Sequence, residues 1–239
     1  MDKQSFFANK QSFSTNKNIW IIANWKSNKT ISEALDWISQ VGPKLEKREN
    51  LKVVVCPPFV DVEEVKKAVM VGNFPLMVGS QDLSAYDVGP YTGEDTARIL
   101  KELVEVSILG HSERRQNFGE TDEIVAQKVL QAKDHQIIPL VCVQGIGTPV
   151  PEGCKLVAYE PIFAIGTGNP DTPENAARIA LELKKKYDED LEVLYGGSVT
   201  SENIKGFLMR DQISGVLIGK ASLDAEEFVK IIQHCYALC

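Results

Sequence analysis

One carboxylate stands at the end of an apolar run in Val157-Ala158-Tyr159-Glu160-Pro161-Ile162-Phe163-Ala164-Ile165-Gly166-Thr167-Gly168, directly before a loop able to fold over it. Exclusion of water strengthens a carboxylate as a base, so the arrangement reads as a general base beneath a lid. A lone glutamate at a strand end is more often solvated or salt-bridged, and the reading gains weight only from its companions. Three segments supply them: Asn24-Trp25-Lys26, Gly110-His111-Ser112-Glu113-Arg114-Arg115 and Tyr195-Gly196-Gly197-Ser198-Val199. Together they suit proton transfer next to a carbonyl on a small phosphorylated substrate. Glu160 would remove a carbon-bound proton, His111 and Lys26 would hold the oxygen that becomes negative, and Asn24 would assist. Backbone N–H groups of Gly166, Ser198, Gly219 and Lys220 would cradle the phosphate, because glycine permits close backbone approach and a following helix start favours an anion. This chemistry calls for no metal.

Such residues need a frame that brings them together. Short apolar, β-branched runs recur at 19–23, 52–56, 76–80, 106–110, 137–143, 155–159, 192–195 and 215–218. Between most of them lie stretches with helical spacing of apolar residues, at 31–46, 60–71, 94–104, 122–134, 173–187, 202–209 and 223–236. Start signals precede several, including Thr30 with Glu33, Thr121 before Asp122 and Glu123, and Thr172 before Pro173. Strands alternating with helices imply a parallel sheet covered on both faces, and eight units imply a closed (β/α)8 TIM barrel. An open doubly wound sheet would carry a GxGxxG turn after its first strand, which this chain lacks. In a barrel the ligand sits at the carboxyl ends of the strands. Asn24, Lys26, His111, Glu113, Glu160, Ser198, Gly219 and Lys220 all fall there.

The fifth unit is irregular. Only Gln144 to Cys154 join the fifth and sixth runs, and Gly145, Gly147, Pro149, Pro151 and Gly153 forbid a regular helix among them. The helix between strands 5 and 6 is therefore expected to be missing. An apolar strip of wall would need another cover, either the Phe-bearing segment before Asn18 or a second subunit.

Composition narrows the function classes. A chain of 239 residues suits one domain, read as a barrel over 18–239 with an N-terminal extension over 1–17. Twenty-six basic against 33 acidic residues, a net charge of −7, argue against nucleic acid and anionic membranes as partners. No apolar run approaches about 18 residues and no secretory signal opens the chain, which points to the cytoplasm. The five cysteines lack metal-type spacing and suit buried free thiols.

With its motifs in this order, the chain resembles the triosephosphate isomerase family over nearly all of residues 19–232. The resemblance implies interconversion of dihydroxyacetone phosphate and D-glyceraldehyde 3-phosphate through an enediolate, without a cofactor. It implies Glu160 as the base, His111 as a neutral electrophile, and Lys26 and Asn24 as oxyanion and substrate contacts. The pairing of a base with a neutral imidazole is the standard description of this family. Glu113 resembles the supporting carboxylate near the lysine, with Ser112 beside it. The segment from Gln81-Asp82 through Tyr91-Thr92-Gly93-Glu94 resembles the family's dimer-forming loop, so a homodimer or a higher homo-oligomer is expected. A silent scaffold on the same barrel would have lost the base or the imidazole, and another phosphosugar enzyme would share the fold without all four motifs.

Three departures from the family pattern carry expectations. Cys142-Val143-Gln144-Gly145 stands where the family has Cys-Ile-Gly-Glu, and Phe163 stands where its lid has Trp. Loss of a Glu–Trp hydrogen bond predicts altered lid gating by about 1 kcal/mol, with the chemistry retained. Lys220 replaces a second glycine of the phosphate cradle; if that position requires φ > 0, Lys220→Gly should lower KM. Pro170 fixes one φ in the trailing hinge of the lid. The missing helix is also found in shortened archaeal members of the family.

Overall fold

Residues alternate along each strand between two apolar layers. Trp20, Ile22, Cys56, Ile108, Cys142 and Leu217 belong to one buried cluster, and the intervening Ile21, Val55, Leu109, Val141 and Val216 belong to a second that includes helix residues. The first fills the inside of a barrel, and the second lies between the barrel and its helices. The computed structural model describes residues 17–164 and 168–238, and its eight parallel strands close in chain order. They are β1 (Ile19–Asn24), β2 (Leu51–Cys56), β3 (Met77–Ser80), β4 (Val106–Leu109), β5 (Ile138–Val143), β6 (Leu156–Tyr159), β7 (Glu192–Tyr195) and β8 (Gly215–Ile218). β1 pairs with both β2 and β8, which removes every free edge.

The helices are α1 (Ile31–Val41), α2 (Val62–Gly72), α3 (Ala97–Leu100), α4 (Ser112–Phe118), α5 (Asp122–Asp134), α6 (Pro173–Tyr187), α7 (Ile204–Leu208) and α8 (Ala225–Tyr236). The expected start signals act as such. Thr30 and Glu33 form a reciprocal capping box, and Thr121 and Thr172 accept from the N–H groups of Ile124 and Asn175. Three helices depart most from expectation. α1 gives way to a single tighter turn at Gly42–Lys44, around Pro43. α3 is one turn, because 81–96 runs as an irregular loop up to Thr96. α4 is not expected at all: Ser-Glu-Arg-Arg-Gln-Asn-Phe buries only Ser112 and so has no apolar stripe to announce it.

No helix lies between β5 and β6, as the glycines and prolines dictate. The crossing segment supplies a cover of its own, which the sequence did not suggest. Val150 packs on the outer apolar layer and Cys154 is buried. Lys186 Nζ donates to Ile146 O at 2.8 Å and Tyr187 Oη to Thr148 O at 3.2 Å, fastening the segment to α6. The proposed role of residues 1–16 as a cover lies outside the described residues. Lys17 is tied to the barrel, its ammonium donating to the carbonyls of Arg210, Asp211 and Ile213. Burial lowers that ammonium to about 8.

On the barrel flank, a closed charge cluster joins the exit of β3 to α4 and α5. Lys128 Nζ sits 2.7 Å from both Asp82 oxygens and also meets Glu120, while Arg114 Nε reaches Asp82 at 2.8 Å. Burial lifts the Asp82 carboxyl to about 6 despite the pull of Lys128, and the charge of Glu120 adds to the rise.

Candidate active site

The strand alternation that buries Trp20 and Ile22 turns Asn24 toward the same interior, at the barrel mouth. Asn24 Oδ1 accepts from Lys26 N–H at 3.1 Å. Lys26 has φ +55°, a left-handed conformation that a side chain rarely adopts. Gln81 helps hold it there, because Gln81 Nε2 donates to the carbonyls of Lys26 at 2.8 Å and Cys56 at 2.9 Å. The ammonium of Lys26 is thereby presented to the mouth, 2.5 Å from Glu113 Oε1.

β4 ends at a turn on Gly110, φ +68°, where a Cβ would lie 2.9 Å from both Arg115 and Val125 atoms. The turn places His111 as the N-cap of α4, and its Nδ1 accepts the backbone N–H of Glu113 at 3.2 Å. With Nδ1 occupied as an acceptor, the neutral ring carries its proton on Nε2. Nε2 lies 3.0 Å from Glu160 Oε1, and Ser112 N–H donates to Glu160 Oε2 at 3.0 Å. Glu160, only 1% exposed, is thus a buried carboxylate held by one ring N–H and one backbone N–H at the start of α4. The room it occupies depends on Gly196, where a Cβ would press to 2.9 Å of Glu160 Cγ. The Cys142 thiol lies against the same carboxylate, and burial, then that charge, keeps it protonated.

The far end of the mouth is built from backbone and hydroxyl groups. Ser198 Oγ donates to Ala164 O at 2.8 Å and accepts Gly168 N–H at 3.2 Å, joining both described ends of the 160–171 connection. Asp171 N–H donates to Tyr195 Oη at 2.7 Å, and the Asp171 carboxylate accepts from Tyr159 Oη and Asn175 Nδ2. Burial and then the charge of Asp171 push the Tyr159 phenol up to about 12, so it stays a donor. Gly219 has φ −87° and Lys220 opens a short turn over Lys220–Leu223 without positive φ. Position 220 therefore imposes no glycine-only conformation, and the expected fall in KM for Lys220→Gly loses its basis. Gln144 accepts from the Thr148 hydroxyl within its own turn at 3.3 Å, and Phe163 is exposed.

These groups enclose one cavity of about 830 Å3. Of the residues expected from sequence, Asn24, Lys26, His111, Glu160, Ser198, Gly219 and Lys220 line it. Ser112 and Glu113 stand behind, holding Glu160 and Lys26. Gly166 lies outside the described residues. The sequence placed Tyr195 and Gln81 inside quoted segments without marking either as a support, and for Asp171 the only signal was its place between Pro170 and Thr172. Among the described residues no group of three or more His, Cys, Asp or Glu is arranged for a metal ion, and no helix is long and apolar enough to cross a membrane.

The family model described as triosephosphate isomerase matches residues 19–148 and 152–235, its gap falling in the helix-less crossing between β5 and β6. Relatives named triosephosphate isomerase include one from Caldanaerobacter subterraneus subsp. tengcongensis, 39% identical over 90% of this chain and 98% of its own. Another, from Dehalococcoides mccartyi, is 37% identical over 91% of this chain and 96% of its own. A third, from Mesomycoplasma hyopneumoniae, is 35% identical over 90% and 98%.

Proposed function

Since this chain belongs to the triosephosphate isomerase family, we propose that Glu160, His111, Lys26 and Asn24 are the groups with which it works. It is an isomerase, and its reaction is the glycolytic interconversion of dihydroxyacetone phosphate and D-glyceraldehyde 3-phosphate. The observation that carries the assignment is the buried Glu160 carboxylate, 3.0 Å from His111 Nε2 in a cavity that Lys26 also lines.

In the described arrangement the Glu160 carboxylate takes both the His111 and the Ser112 N–H groups. A bound triose phosphate presents its carbonyl oxygen to His111 Nε2–H and Lys26 Nζ. The His111 N–H then passes from Glu160 to the substrate, and the carboxylate is freed to face the carbon beside the carbonyl. Its oxygen takes the carbon-bound proton, the C–H electron pair becomes the carbon–carbon double bond of an enediolate, and the carbonyl π pair moves onto oxygen. The developing charge meets donors already in place, so little reorganisation is needed. The hydroxyl proton on the neighbouring carbon's oxygen is exchanged, through His111 Nε2, for one on the oxygen that became negative. The carbon-bound proton then returns from Glu160 to the former carbonyl carbon, taken up by the electron pair of the double bond. This leaves a new carbonyl on the neighbouring carbon and no net gain or loss of protons. Backbone N–H groups at Gly166, Ser198, Gly219 and Lys220 hold the phosphate, supported by the absence of positive φ at Lys220 and by the Ser198 links. Glu160→Ala is expected to lower kcat at least about 100-fold with the fold intact. A smaller loss would remove Glu160 from the role of base.

The same reading includes a homodimer or a higher homo-oligomer, formed through the loop 81–96. Tyr86, Val88 and Tyr91 on that loop and Phe59 and Val60 after β2 are exposed apolar residues, which supports it. Gln81 links the start of the loop to the Lys26 carbonyl, so an ordered partner would steady Lys26. Light scattering at micromolar concentration tests this, and a fully active monomer would contradict it. Residues 18–239 form the catalytic domain on this reading, with 1–17 an extension. A truncation starting at Lys17 keeps the bonds of its ammonium to the base of the barrel and should retain activity. The buried thiols of Cys56, Cys142 and Cys154 support a reducing, cytoplasmic setting.

A further inference from the structure

Asp171 makes more connections than a loop residue ordinarily does. It is 8% exposed, and four hydrogen bonds converge on it. Its N–H donates to Tyr195 Oη on β7 at 2.7 Å. Its Oδ2 accepts from Tyr159 Oη on β6 at 3.3 Å and from Asn175 Nδ2 on α6 at 2.7 Å, and its Oδ1 accepts Thr172 N–H at 2.8 Å. Both phenol rings are themselves immobilised. Tyr159 and Tyr195 are buried, and Tyr195 stacks on Phe207 with ring centroids 4.0 Å apart. A residue whose carboxylate binds one strand and a helix start by charge-assisted bonds, and whose N–H binds a second strand, has its backbone firmly fixed.

Only Asn169 and Pro170 lie between Gly168 and Asp171, so the two are at most roughly 11 Å apart when the chain is fully extended. Gly168 lines the cavity, and its N–H rests on Ser198 Oγ, which lines it too. Fixing residue 171 therefore restricts where Gly168 and Ser198 can meet. We propose that Asp171 is a positioning residue for the phosphate end of the cavity, setting through Gly168 and Ser198 the geometry in which the substrate's phosphate is held. This rests on the reading that the cavity binds triose phosphate. Asp171 touches no reacting atom, so its effect falls on binding and not on proton transfer.

The test uses the full-length chain with Asp171→Ala, Asp171→Asn and Tyr159→Phe. Asp171→Ala is expected to raise KM for D-glyceraldehyde 3-phosphate and Kd for inorganic phosphate about tenfold, the size of one lost charge-assisted bond, with kcat within about threefold. Asp171→Asn, which keeps one acceptor oxygen, should recover part of that loss. Tyr159→Phe removes only a hydroxyl, should move both constants the same way by a smaller factor, and decides the matter if Asp171→Ala does not fold. A lowered Tm with KM and phosphate Kd unchanged would mean a purely structural role and overturn the proposal. Glu160→Ala separates the two levels. If that variant keeps its activity, the catalytic reading fails; if it is inactive while the Asp171 and Tyr159 variants bind phosphate as the wild type does, only this proposal fails.

Discussion

Consecutive residues of α4 serve two charged clusters. Glu113 meets Lys26 at the barrel mouth, whereas Arg114 joins Asp82, Glu120 and Lys128 on the flank. The ingredients are the same, carboxylates and cations at hydrogen-bond distance, and residue type alone cannot tell them apart. On the flank the charged groups face each other, Lys128 and Glu120 are nearly inaccessible, and the cluster borders none of the cavity. At the mouth, Glu160 and His111 are just as buried from outside but face a space into which a ligand fits. A charge cluster becomes a site when some of its bonds can be handed to a substrate. Where they cannot, it is a cross-brace.

This contrast can be broken most sharply at Lys128. Lys128→Ala leaves two buried carboxylates with only the partly exposed Arg114 between them, and should cost about 3–5 kcal/mol of stability, or roughly 10 °C in Tm, by thermal unfolding. The folded fraction should turn over normally. His111→Gln should do the opposite, lowering kcat by about 10²–10³-fold while Tm stays near the wild type. If Lys128→Ala impaired kcat with Tm preserved, the two clusters would not be separable.

A smaller effect comes from pH. The folded-state Asp82 carboxyl titrates near 6 against an ordinary 3.8, so the folded state binds that proton more tightly than the unfolded state. The stability contributed by this group is complete below about pH 4 and is lost as pH rises through 6. Denaturant midpoints at pH 4, 5, 6 and 7 should show that the wild type loses ground against Asp82→Asn across that window. A parallel pair of curves would show that Asp82 does not carry the effect. Smallest of all, Lys220→Gly keeps the backbone N–H and relieves no strained φ, so KM should stay within about twofold. A clear fall would reveal strain at position 220.

The barrel was legible because each strand is a continuous apolar run, buried on both faces, and the observed strand bounds fall within one residue of those runs. The helices were legible where a cap and an apolar stripe coincide, as at Thr121 and Thr172, and illegible at α4, which buries one serine. Asn24, Lys26, His111 and Glu160 could be found because each is a polar residue just past an apolar strand, where polarity needs a reason. Asp171 and Gln81 could not be, since an aspartate before a helix and a glutamine after a strand fit ordinary loops. Their partners are side chains and carbonyls distant in sequence, which only the closed barrel brings near. The self-covering crossing from β5 to β6 was hidden for the same reason, because Lys186 and Tyr187 lie some forty positions away.

Position 26 sets the needs of the fold against those of the reaction. A left-handed backbone under a four-carbon side chain costs roughly 1–2 kcal/mol that glycine would not incur. Glycine there would relieve that strain and take the ammonium away from the cavity, giving a sturdier but inert barrel.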